Sequence, residues 1–192
     1  DLSVAGVLEG HLAEVRSVAV DEKHIATGDS RGGIRIWKTR TLELEGRGPL
    51  PTEHGGKVFG LALSGDVLIS GAADKMAKVW SISDRACKAT LTEHSHYVFC
   101  VDLTDAFMAT ASHDKTVRVW PDAASLPPKG GKSLYTLVHP DLVVAIEMER
   151  DVLATACEDR MVRTFNLTDG QRTRELRGHD GLVVSVAICG SV

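Results

Sequence analysis

The chain has 192 residues, 26 of them acidic and 22 basic, with a net charge of −4 and both signs spread along its length. That balance leaves no concentrated basic stripe, so neither a nucleic-acid surface nor a membrane surface is expected. The four cysteines, Cys87, Cys100, Cys157 and Cys189, are spaced too widely for a compact zinc set or disulfide framework, which suits reduced thiols in an intracellular (cytoplasmic or nuclear) protein.

In chain order, residues 2–8 read as one outer strand leading into Gly10-His11. A first unit, residues 9–46, runs from His11 through the apolar run 15–20 and Ile25-Ala26-Thr27 to Gly33-Ile34-Arg35-Ile36-Trp37. A second, 52–91, repeats the plan with His54, the run 58–63, Leu68-Ile69-Ser70, a strand closed by Trp80, and a more polar strand 86–91. The third, 92–138, has His94, the run 98–103, Met108-Ala109-Thr110 and Trp120. Its last strand follows a Pro- and Gly-containing connection, 121–132, whose composition predicts an exposed, mobile insertion. The fourth, 139–177, has His139, the run 143–148, Leu153-Ala154-Thr155 and Phe165 in place of tryptophan. A partial unit, 178–192, opens on Gly178-His179 and offers one further strand, 183–188.

The runs are strand-length and rich in β-branched residues, turn signals separate them, and no helical period appears. The chain is therefore all-β: four short strands per unit, folded as an antiparallel meander. A period of about 40 residues also marks a repeat architecture, because one such unit cannot bury its own apolar face.

The opening histidine and closing tryptophan at a fixed interval resemble the WD-repeat family of β-propellers, whose four-stranded blades surround a central channel. The resemblance covers nearly the whole sequence. It implies a propeller segment of four full blades with partial strands at both ends. Because the ends supply too few strands for another blade, an incomplete ring is expected, to be completed by further blades or by another copy.

The family's hydrogen-bonded tetrad joins the opening histidine, a hydroxyl ten residues before the tryptophan, an aspartate six before it, and the indole. Carried over, it gives His54, Ser70, Asp74 and Trp80, then His94, Thr110, Asp114 and Trp120. The outer units have partial sets. His11, Thr27 and Trp37 lack the aspartate, because Arg31 stands there, while His139, Thr155 and Asp159 lack the indole.

These histidines then serve architecture, not chemistry. No exposed nucleophile elbow and no glycine-rich phosphate loop are present, so no catalytic residue and no cofactor is expected. His96, His113 and Asp114 could hold zinc only if Asp114 were free of its tetrad, so no metal site is assigned. The resemblance further implies that protein or peptide partners sit at the mouth formed by loops on one face. There the sequence places Arg16, Lys57, Phe59, Tyr97, Phe99 and His113. Aromatics supply buried area at such a mouth and the cations supply charge. The functional expectation is a non-enzymatic interaction scaffold. The alternative is the substrate-recognition subunit (F-box/WD type) of a ubiquitin ligase, which would need an F-box or RING segment outside this sequence.

Overall fold

The computed structural model describes residues 6–51, 53–127 and 129–189, and among these the chain is almost entirely β. Its strands form four sheets, one per unit. The first contains β1 (Val15–Val20), β2 (His24–Asp29) and β3 (Ile34–Lys38). The second contains β4 (Val58–Ser64), β5 (Val67–Ala72), β6 (Ala77–Ser81) and β7 (Ala86–Leu91). The third has β8 (Val98–Leu103), β9 (Phe107–Ser112), β10 (Thr116–Pro121) and β11 (Tyr135–Val138); the fourth has β12 (Val143–Glu149), β13 (Val152–Cys157), β14 (Val162–Asn166) and β15 (Arg172–Leu176). Every pairing between consecutive strands within a sheet is antiparallel.

In the first sheet the place of a fourth strand is taken by an irregular segment. Leu44 bridges Trp37, and Glu43, Glu45 and Leu50 exchange single hydrogen bonds with Lys38, Ile36 and Ile34 of β3. Gly46 and Gly48 lie at φ +84° and +133°, and Pro49 follows, so a regular ladder cannot continue. Arg85, in the turn after β6, clamps this segment from the neighbouring sheet. Its guanidinium donates to the carbonyl oxygens of Glu45, Gly48 and Pro49.

The first strands of the sheets, β1, β4, β8 and β12, are neighbours in that order. Among the described residues, β12 makes no comparable contact back to β1, so the four blades stand as an open arc. One packing rule recurs at the seams. The residue after each blade's β2-type hydroxyl is small (Gly28, Gly71, Ala111, Ala156), and it meets the first valine of the next blade. A Cβ on Gly28 or Gly71 would lie 2.6 Å from Cγ1 of Val58 or Val98. Ala111 shares a core cluster with Val143, and Ala156 shares one with Val183. Among the described residues Val15, the equivalent valine of the first blade, has no such neighbour, and it stays 48% exposed.

The ends depart from the expectation. Residues 1–5, which include 2–5 of the outer strand expected at 2–8, and residues 190–192 lie outside the described residues, and residues 6–8 join no ladder. The run 183–188 is not a paired strand either. Val183 packs with Ala156 and Val162, but among the described residues no strand pairs with this run. The insertion after β10 also differs from the mobile loop its composition suggests. Asp122 caps a 3-10 turn, Ala123–Ser125, and Ala123 and Leu126 pack against the core between the second and third blades.

Candidate functional site

The face that carries the mouth is held from beneath by the histidine networks. In the second blade His54 Nδ1 donates to Asp74 Oδ2 (2.9 Å), and Nε2 accepts from Ser70 Oγ (2.7 Å). Trp80 Nε1 donates to the same hydroxyl (2.9 Å). In the third blade His94, Asp114, Thr110 and Trp120 repeat this at 2.9, 2.8 and 3.0 Å. A carboxylate can only accept, so it fixes the imidazole tautomer, and each buried group finds a partner. Burial opposes ionisation of Asp114, but hydrogen bonds from Thr116, His94 and the Ser95 N–H outweigh it and hold the carboxyl down to about 2. Burial lowers the His94 imidazole.

In the first blade, His11 Nε2 accepts from Thr27 Oγ1 (2.6 Å) and Trp37 Nε1 donates to Thr27 (2.8 Å). Here the sequence reading needs a correction. The carboxylate is not missing but displaced: Asp29 Oδ2 takes His11 Nδ1 at 2.8 Å, while Oδ1 accepts from Arg31 N and Gly33 N. In the fourth blade His139 Nε2 meets Thr155 Oγ1 at 2.9 Å, yet Asp159 does not join them. Asp159 is taken by Arg163 through both oxygens (3.2 and 2.6 Å), and Arg163 also reaches Glu175 at 2.9 Å. Nδ1 of His139 turns to the Leu137 carbonyl, and burial lowers this imidazole to about 4.

Above these networks the backbone does something the sequence pattern does not announce. The register slips at the same place in each inner strand: between Val15 and Ser17, Val58 and Gly60, Val98 and Cys100, and Val143 and Ala145. The extra residues are Arg16, Phe59, Phe99 and Val144. A β-bulge re-aims a side chain and tightens the local twist. Phe59 and Phe99 thereby stack across the seam of the second and third blades, with centroids 4.6 Å apart and planes at 14°. Tyr97, 40% exposed, lies 6.1 Å from Phe59, and His113 lies 5.8 Å from Phe99. His96, which is not among the six residues expected at the mouth, completes the group at 4.4 Å from Tyr97 and 4.6 Å from His113.

Beside the stack, towards the fourth blade, is a pit of about 120 Å³ lined by Phe99, His113, Leu142, Val143, Val144 and Glu158. Arg16 and Lys57 stay on the exposed rim, outside the aromatic group, with Arg16 bonded to Glu14 at 3.3 Å. Asp114 is unavailable to His96 and His113, because its two oxygens already accept from His94, Ser95 N, Thr116 N and Thr116 Oγ1. Among the described residues no group of three or more His, Cys, Asp or Glu side chains is placed to hold a metal ion, and no helix is long and apolar enough to cross a membrane.

Comparison with known proteins points the same way as this geometry. The sequence pattern described as WD domain, G-beta repeat matches residues 3–38, 48–81 and 85–121, more than half of the chain. The fourth blade falls outside these stretches. Mitochondrial division protein 1 of Aspergillus clavatus is 28% identical over 92% of the chain and 29% of the relative. The protein of the same name from Neurospora crassa is 27% identical over 92% and 29%. WD repeat-containing protein pop2 of Schizosaccharomyces pombe is 25% identical over 90% of the chain. The chain thus spans less than a third of the length of these relatives. The computationally designed protein Ika4 superposes with a TM-score of 0.72 at 22% identity, over 84% of this chain and 96% of the design, a likeness of fold alone.

Proposed function

The chain belongs to the WD-repeat family, and on that premise we propose that it is a non-enzymatic scaffold gripping an extended partner segment at the aromatic mouth. WD-repeat proteins generally act as protein-interaction scaffolds, and this chain's architecture is of that kind. The observation that carries the mouth is the coincidence of a bulge with Phe59 and with Phe99. An apolar stack left half-buried beside an open pit is what a partner's anchoring side chain requires. The cations Arg16 and Lys57 on the rim suit acidic residues flanking that anchor. The scaffold works inside the cell, in keeping with four free thiols. The relatives' names give the ubiquitin-ligase alternative no support.

The test is comparative capture from cell lysate with quantitative mass spectrometry. Proteins held by the wild-type chain should be lost with Tyr97→Ala or Phe99→Ala and weakened by Arg16→Glu. Retention of every captured protein by both aromatic variants would refute the mouth.

A further inference from the structure

The opposite face, reached by the turns that end β8 and β12 and by the insertion after β10, carries a second surface of different chemistry. Two adjoining depressions share Thr104 and Asp105. The first, about 210 Å³, lies between Val67, Leu103 and Met108 and is walled by the 3-10 turn at Ala123 and Ala124. The second, about 540 Å³, runs over Phe107 and Met148 to Glu149 and Asp151. The floor is apolar in both. Around it stand the carboxylates of Asp105, Asp122, Glu149 and Asp151 against one cation, Arg150.

Two details separate this from a chance acidic surface. The wall exists only because the insertion is folded down, with Leu126 packed against the core and Asp122 capping the turn. In addition, Oε2 of Glu149 is buried and takes no hydrogen bond from the described residues, although the residue lines the second depression. A buried carboxylate oxygen left without a donor is costly, and an incoming ammonium or guanidinium group removes that cost.

We propose that this groove binds a basic segment of a partner protein in which cationic residues flank an apolar one. The apolar side chain occupies the depression walled by Ala123 and Ala124, and the cations meet Asp105 and Asp151 on the rim and Glu149 beyond it. The site is independent of the mouth and of opposite polarity. The chain would then join an acidic segment on one face to a basic segment on the other.

The test uses a fluorescein-labelled peptide, Arg-Lys-Leu-Lys-Arg, titrated with the chain at low salt and followed by anisotropy. Saturable binding is expected, weakened by added salt, by about tenfold in the double variant Asp105→Lys/Asp151→Lys, and by a similar factor when the peptide's Leu is replaced by Ser. Among the described residues neither aspartate side chain makes a hydrogen bond or ion pair, so the fold should tolerate the reversal. Ala124→Phe, which fills the first depression without changing charge, provides the second line and should also weaken binding. Tyr97→Ala should leave it unchanged. The proposal is overturned if the wild-type chain shows no saturable binding, if the Ser peptide binds equally, if neither groove variant weakens binding, or if Tyr97→Ala abolishes it.

Discussion

His11 is bonded at 2.8 Å to Asp29, a residue two positions after the blade's hydroxyl Thr27, where the second and third blades carry Ala72 and Ser112. The imidazole receives its carboxylate from the end of β2 instead of from the tight turn. Asp29→Ala should therefore cost about 1–3 kcal/mol, the cost of leaving a buried imidazole N–H and two backbone N–H groups unpaired. Arg31→Ala, at the position where the family carries the aspartate, should change stability by less than about 0.5 kcal/mol. Urea melts of both variants decide it, and equal losses would show that Asp29 has no such role.

Trp80→Phe removes the donor to Ser70 Oγ and should cost about 1–3 kcal/mol. Phe165→Trp should be near neutral, within about 1 kcal/mol, because Thr155 Oγ1 already meets His139 and the Arg163 carbonyl and gains one more donor. Denaturation midpoints measure the contrast. Equal shifts would show that the indole N–H contributes nothing to the network.

Arg85 holds three carbonyl oxygens of the irregular segment between the first and second blades. Arg85→Ala should expose residues 43–50 to limited proteolysis and cost about 1–3 kcal/mol. Arg85→Lys should rescue little, since a single ammonium cannot reproduce the guanidinium fork. Protection of that segment in both variants would show that the clamp is dispensable.

Asp102 ties the third blade to the fourth: Oδ2 accepts from Met148 N at 2.6 Å and Oδ1 from Leu103 N at 2.9 Å. Burial raises its carboxyl to about 6, against the ordinary 3.8. The folded chain thus holds this proton more tightly than the unfolded one. The resulting stabilisation is full below the unfolded value and is lost as pH rises through about 6. Asp102→Asn keeps an acceptor for Met148 but has no charge to bury. Its stability relative to wild type should rise by about 1–2 kcal/mol between about pH 4 and pH 7. A pH-independent difference in urea melts would contradict this.

The blades are legible in the period of the strand-length runs, and the two central networks in what the family resemblance implies at fixed offsets. His54, Ser70, Asp74 and Trp80 stand at fixed offsets, as do their third-blade counterparts. The outer blades were misread where a neighbour changes a side chain's partner. Arg118 in the third blade pairs through Nη1 with Glu93, the residue before His94. In the fourth blade the corresponding residue is Val138, so Arg163 has no such acid and takes Asp159 from His139. In the first blade, Gly32 and Gly33 let the turn run without its own aspartate. The site was half legible: residue type marked Phe59 and Phe99, but the bulges and the contribution of His96 need the register of the ladders.

The stacked pair Phe59 and Phe99 is also a joint, because each ring belongs to a different blade. The third and fourth blades are pinned on their inner strands by Asp102 and by the Cys100 thiol, which donates to the Val144 carbonyl at 2.9 Å. Between the second and third blades the rings lie where Gly60 brings the two backbones together, since a Cβ there would be 2.9 Å from the Phe99 carbonyl oxygen. A ligand seated on both rings would therefore touch two blades at once, at the point where their backbones come closest. By reciprocity, whatever free energy such a ligand gains from the joined blades, it returns to the seam that joins them.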